Sequence, residues 1–183
     1  IHTVAGDDVI NVAEHNQAQI ISGSATGAAA GDKVTVTIGG QTYTTVLDAA
    51  GNWSVGVPAN VISGLSDGTA TVSVSVTDAA GNTGSGTHNV TVDTGLPSVS
   101  FNAISDDNVL NAVEKGQDLS VSGTSANLAE GTLVTVTLNG KNYTATTAAD
   151  GTWSLTVPAA DLTGLGQASY TLNATATNGV GNS

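Results

Sequence analysis

Apolar and polar residues alternate along this chain with a period of two, the spacing that puts every second side chain on one face of an extended strand. Val72, Val74 and Val76 alternate with Ser73 and Ser75, while Val34, Val36 and Ile38 alternate with threonines, as do Val134, Val136 and Leu138. Trp53, Val55 and Val57 share one face. Gly39-Gly40 and Asn139-Gly140 each separate two such runs, and they carry the signature of a tight hairpin. In the first half of the chain the pattern predicts strands near 1–5, 17–24, 32–38, 41–47, 52–58, 69–77 and 84–93. Short strands at this spacing predict a β-sandwich, and no helical period is present. Trp53 and Trp153 sit in strict alternation with apolar neighbours, which marks them as core anchors rather than platforms for a sugar ring. Tyr43 and Tyr143 are read in the same way.

The pattern occurs twice. Offset by 100 residues, the chain aligns with itself without a gap. Val34-Thr35-Val36-Thr37 returns as Val134-Thr135-Val136-Thr137, Trp53-Ser54 as Trp153-Ser154, Val57-Pro58-Ala59 as Val157-Pro158-Ala159, and Gly81-Asn82 as Gly181-Asn182. A repeat of this length folds as a domain by itself, unlike the short units of a solenoid. Two domains are expected, 1–93 and 94–183, joined by the linker 94–97. Ser183 aligns with Thr83, so the second domain is expected to lack its closing strand, the counterpart of 84–93, and to have an exposed sheet edge.

Composition narrows the chemistry. The chain is 39 % hydrophobic, enough to bury a core, with one Phe, two Trp and no Met. Three Lys against fifteen acids give a formal charge of −12, which disfavours nucleic acid and anionic membrane as partners. Such a chain attracts cations, although charge alone also keeps an exported protein soluble. There is no cysteine, which excludes disulfides, zinc-thiolate sites and thiol catalysis. The chain starts at Ile1 and has no apolar run of membrane-spanning length, so it reads as a segment of something larger with no membrane insertion.

Alternating strand directions bring the acids together. They place the loop Asp7 to Glu14, Asp93 and the linker at one pole of the first domain, and the loop 78–82 at the other. The counterpart of that second loop, Asn178 to Asn182, is then expected to face the joint. Ca²⁺ requires six to eight oxygen ligands. The reading expects Ca²⁺ at this joint on Asp7, Asp8, Glu14 and Asp93, with an amide oxygen from Asn178, and with Asp107 and Glu114 as the equivalent acids of the second domain. Affinity is expected in the weak range of extracellular modules, roughly 10⁻⁴–10⁻³ M. Asp and Asn also form turns through side chain to backbone bonds. Asn11 and Asn111 are read as turn caps and Asp48 and Asp150 as turn residues, whereas Asp7, Asp93 and Asp107 are read as metal ligands. Enzyme chemistry finds no support: His2, His15 and His88 form no recognisable repeated cluster, and no nucleophile elbow, phosphate loop or zinc motif occurs.

Four motifs occur in order: Asp7-Asp-Val-Ile-Asn-x-x-Glu14, Gly51-Asn-Trp-Ser, Thr77-Asp-Ala-Ala-Gly-Asn82 and Val92-Asp-Thr-Gly-Leu-Pro97. Together they resemble the bacterial Ig-like repeats of giant non-fimbrial adhesins of Gram-negative bacteria, among them biofilm-associated proteins and repeat adhesins exported by type I secretion. The resemblance implies an all-β chain of two tandem immunoglobulin-like sandwiches, acting as a spacer in a fibre at the bacterial cell surface. It implies Ca²⁺ at the joints, with Asp78 and Asp93 as ligands. Asn178, where the first domain has Asp78, departs from that pattern and lowers the charge. The implied partners are neighbouring domains of the same kind, and host-cell or biofilm matrix components. A rival reading has the modules themselves bind a glycan or receptor, and a third makes them accessory modules of an enzyme.

Overall fold

The alternation in the sequence becomes a nearly all-β chain in a computed structural model that describes residues 1–183. It divides into two units, Ile1–Thr94 and Gly95–Ser183. In the first unit the strands are β1 (Val9–Ile10), β2 (Gln19–Ser24), β3 (Lys33–Ile38), β4 (Gln41–Val46), β5 (Asn52–Val57), β6 (Gly68–Thr77) and β7 (Thr83–Val92), with one helical turn, α1 (Ala59–Ile62), before β6. One sheet has the order β1-β7-β6-β3-β4 and the other is the pair β2-β5. The β3–β4 hairpin turns on Gly39 and Gly40, both at positive φ, so its two strands pair in register from Lys33 with Val46 to Ile38 with Gln41.

Between the sheets lies a core of small branched side chains. Val34, Val36, Ile38, Val57, Val72, Val90 and Val92 are buried, and Trp53 is 4 % exposed. Each comes from the inward face of an alternating strand. Trp53 is a core anchor as expected, while Tyr43 is only half-buried at the edge of the cluster.

The second unit contains β8 (Ser98–Phe101), β9 (Leu119–Ala126), β10 (Leu133–Leu138), β11 (Lys141–Thr146), β12 (Thr152–Val157), α2 (Ala159–Leu162) and β13 (Leu172–Ala176). Its sheets are β11-β10-β13 and β12-β9-β8. Trp153 is buried here too, and Phe101 meets it edge-on with ring centroids 5.4 Å apart.

The first strand differs from the sequence reading. Residues 1–5 form no strand; the strand of that kind is β8, which ends at Phe101, the counterpart of Ile1. The loop expected after it contains its own short strand instead. β1 runs parallel to β7, with Val9 opposite Thr91 and Ile10 opposite Val92. No helix is long and apolar enough to cross a membrane.

Candidate functional site

In the first unit the backbone of the loop 7–14 is tied beside the end of β7. Thr91 N donates to Asp8 O at 2.9 Å and Asp93 N to Ile10 O at 3.0 Å, which ties the loop to the strand. Asp7 Oδ1 accepts from Val9 N at 2.9 Å, closing an Asx turn. Asn11 Oδ1 accepts from the amides of Ala13 and Glu14, and Glu14 Oε2 reaches back to Asn11 N at 3.1 Å. That reciprocal pair is a capping box at the short 3₁₀ turn Glu14–Asn16. Asn11 is thus a turn cap, as expected, and Glu14 has a structural task of its own.

Asp8 is engaged further. Its Oδ1 receives Val4 N at 2.8 Å and faces His88 Nε2, on β7, at 2.7 Å. The hydrogen bond from His88, then the one from Val4, hold the Asp8 carboxyl below its ordinary value. Asp8 also sits at φ +63°, a left-handed conformation that short polar side chains tolerate.

Asp78 does not join this group. It lies in the turn between β6 and β7, and the ten residues of β7 separate it from Asp93 by roughly 30 Å. Its Oδ1 accepts from Asn82 N at 2.8 Å and its Oδ2 from Asn82 Nδ2 at 2.9 Å, bonds that lower its carboxyl value.

In the second unit the same local devices recur. Asp107 Oδ1 accepts from Val109 N at 2.8 Å, and Asn111 and Glu114 form the same capping box. Asn178 Nδ2 donates to the carbonyl of Gly95 at 3.2 Å. Asp48 and Asp150 close turns ahead of Gly51 and Gly151, as expected.

Sequence reasoning missed three residues. Asp67 Oδ1 accepts from both Thr94 N, at 3.1 Å, and Thr94 Oγ1, at 2.8 Å, so it fixes the chain as it leaves the first unit. Asn182, fully buried, donates through Nδ2 to Gly95 O at 3.2 Å, and Asn127 Nδ2 holds Leu96 O at 2.9 Å. The recurring Gly-Asn at 81–82 and 181–182 was the available signal for Asn182. Nothing in residue type alone pointed to Asp67.

Asp7, Glu14 and Asp93 offer a cation only oxygen donors, which suits a hard ion. No three or more His, Cys, Asp or Glu side chains are gathered to hold a metal ion, however. Asp7 and Glu14 each use one carboxylate oxygen on a backbone amide. Asp93 follows directly after the paired residues of β7, its amide bonded to Ile10 O. The donor chemistry fits Ca²⁺, but a full ligand shell is not assembled by these side chains alone.

Residues 5–94 match the bacterial Ig-like domain family. A Ca²⁺-stabilised adhesin with which an Antarctic bacterium binds ice has a solved structure that is 40 % identical. It aligns over 99 % of this chain and 45 % of its own, with a TM-score of 0.63. A structure solved for part of a 1.5-MDa bacterial ice-binding adhesin is 39 % identical over 99 % of this chain and 59 % of the solved chain, again at 0.63. A bacterial immunoglobulin-like domain from the M. primoryensis ice-binding adhesin is 44 % identical over 50 % of this chain and 92 % of its own, with a TM-score of 0.39. No curated protein matches. The two-layered sandwich and the duplicated turns define a tandem Ig-like repeat of the kind found in large bacterial adhesins. The chain belongs to the bacterial Ig-like domain family, and it spans about half the length of the first two solved chains.

Proposed function

We propose that this chain is a spacer segment of a large adhesin on the bacterial surface, outside the cell, with no catalytic role. Repeated modules would carry a distal binding domain away from the cell, and their principal partners are neighbouring modules of the same chain. The observation that carries the reading is what recurs at the hundred-residue offset. Core and turn residues recur: Trp53 with Trp153, Gly51 with Gly151, Asn11 with Asn111. The histidines, which general acid or base chemistry would use, do not. His2 is replaced by Asn102 and His15 by Lys115. His15 Nε2 lies 2.9 Å from Leu65 O, and Lys115 Nζ bonds the equivalent Leu165 O, so both side chains tie down the same loop.

The proposal includes Ca²⁺, drawn to the acidic pole of the first unit. Asp7, Glu14 and Asp93 would supply carboxylate oxygens, with Asp107 and Glu114 as their counterparts in the next unit. Asp8 is held by His88, so it would contribute charge more than ligand atoms, and Asp78, bonded to Asn82 at the far end of β7, would take no part. Affinity is expected at roughly 10⁻⁴–10⁻³ M. Small-angle scattering of the chain in millimolar CaCl₂ and in EGTA tests this. A narrower distribution of interatomic distances in Ca²⁺ is expected, and identical curves overturn the role of the ion. Loss of calorimetric Ca²⁺ binding in Asp93→Ala is the matching site test.

A further inference from the structure

The turn after β13 carries a side chain that works in two directions. Asn178 Oδ1 accepts from Val180 N at 3.2 Å and Asn182 N at 2.9 Å, which closes the turn. Its Nδ2 is thereby turned outward and donates to Gly95 O at 3.2 Å. Asn182 Nδ2 donates to that same carbonyl, also at 3.2 Å, from a fully buried position. One backbone oxygen thus receives two amide donors, and the next, Leu96 O, receives Asn127 Nδ2. All of these residues belong to the second unit.

The first unit makes the same turn with a carboxylate. Asp78 N donates to Asn82 O and Gly81 N to Asp78 O, as Asn178 N does to Asn182 O and Gly181 N to Asn178 O. There, Asp78 Oδ2 takes one of the two Nδ2 hydrogens of Asn82.

We propose that Asn178 and Asn182 form a metal-free clamp on the chain entering the second unit, and that the side chain at position 178 decides whether the clamp works without a cation. An amide presents a donor to Gly95 O. A carboxylate has only acceptors, so it sets a charged oxygen against the carbonyl oxygen. Two oxygens at that distance repel unless a positive charge lies between them. The clamp therefore does not rest on the Ca²⁺ reading above, which concerns carboxylates of the first unit.

Nuclear magnetic resonance of the whole chain tests the clamp directly. The side-chain NH₂ signals of Asn178 and Asn182 are expected to exchange slowly with solvent and to be the same in CaCl₂ and in EGTA. Exchange at the rate of free amides, or a shift on adding Ca²⁺, overturns the proposal. In EGTA, Asn178→Asp is expected to lower the unfolding midpoint of the second unit by about 4–8 °C. Millimolar CaCl₂ is expected to restore most of that loss for Asn178→Asp and none of it for Asn178→Ala. An Asn178→Asp chain as stable as wild type in EGTA overturns the clamp, and failure of Ca²⁺ to restore it overturns the exchange of amide for ion. Scattering curves that ignore Ca²⁺ would sink the joint-site reading and leave all of these outcomes standing.

Discussion

Asp7-Asp8-Val9-Ile10-Asn11 and Asp107-Asn108-Val109-Leu110-Asn111 are nearly the same sequence in two different states. In the first unit Val9–Ile10 is a strand, and Ile10 is fully buried. In the second unit Val109-Leu110 forms no strand, and Val109 is 59 % exposed. The difference lies in the neighbour: β1 has β7 beside it, and no strand stands beside Val109-Leu110. The strands next to β10 and β3 repeat the lesson. β6 is ten residues long with β7 on its free side, whereas β13 is five. Extended structure is a property of pairs, so identical local preference ends as strand or loop according to what it can bond.

The largest effect that can break this comparison is loss of an indole. Trp153→Ala is expected to cost the second unit about 3–5 kcal/mol, seen by calorimetry as a fall in one of two transitions. Trp53→Ala should cost the first unit less, by about 0.5–1.5 kcal/mol, because Trp153 has the edge contact from Phe101, whose counterpart in the first unit is the non-aromatic Ile1. Equal losses would show that the aromatic edge adds nothing.

Glycine at the strand crossing comes next. A Cβ at Gly123 would stand 1.7 Å from Ser100 O on β8, whereas at Gly23 the nearest atom is a Trp53 ring carbon at 2.6 Å. Backbone must move in one case and a side-chain edge in the other. Gly123→Ala is expected to destabilise by about 1–3 kcal/mol and to detach β8, read as faster hydrogen exchange over 98–101, while Gly23→Ala costs less.

The smallest effect is electrostatic. Asp8→Asn copies Asn108, which already bonds Ile104 N as Asp8 bonds Val4 N, but it loses the carboxylate that faces His88. The Asp8 value is lowered in the fold, so its stabilisation is present above the ordinary value of 3.8 and is lost as pH falls through the lower folded value. Asp8→Asn should therefore unfold earlier than wild type at pH 7, with the gap closing as the medium becomes acid enough to protonate Asp8. A gap independent of pH would remove the carboxylate from the account.

What could be read from the chain, and what could not, divides along the same line. The inward faces of β3, β5, β6, β10 and β12 were legible because alternation is local, and the duplication was legible because Trp, Gly and Pro recur at fixed positions. The first strand was misplaced, and β1 was missed altogether. Two residues carry no period, and only β7, eighty positions away, makes them a strand. Asn11 could be read as a turn cap from its residue type and its place in mid-loop. The Gly95 clamp could not be read, because its acceptor is a backbone oxygen and residue type says nothing about those. Asp67 was hidden for the same reason, since half of its contact with Thr94 is to an amide.

The pairing of β1 with β7 has a mechanical side. The two strands run in the same direction, yet β1 is approached from the start of the unit and β7 leads out of it. Tension applied to the two ends of the first unit therefore drags these neighbours past each other in opposite senses. The bonds from Thr91 to Asp8 and from Asp93 to Ile10 lie across that motion and are loaded together. An antiparallel pair at the same place would unzip one bond at a time, whereas this one yields only when its bonds rupture at once.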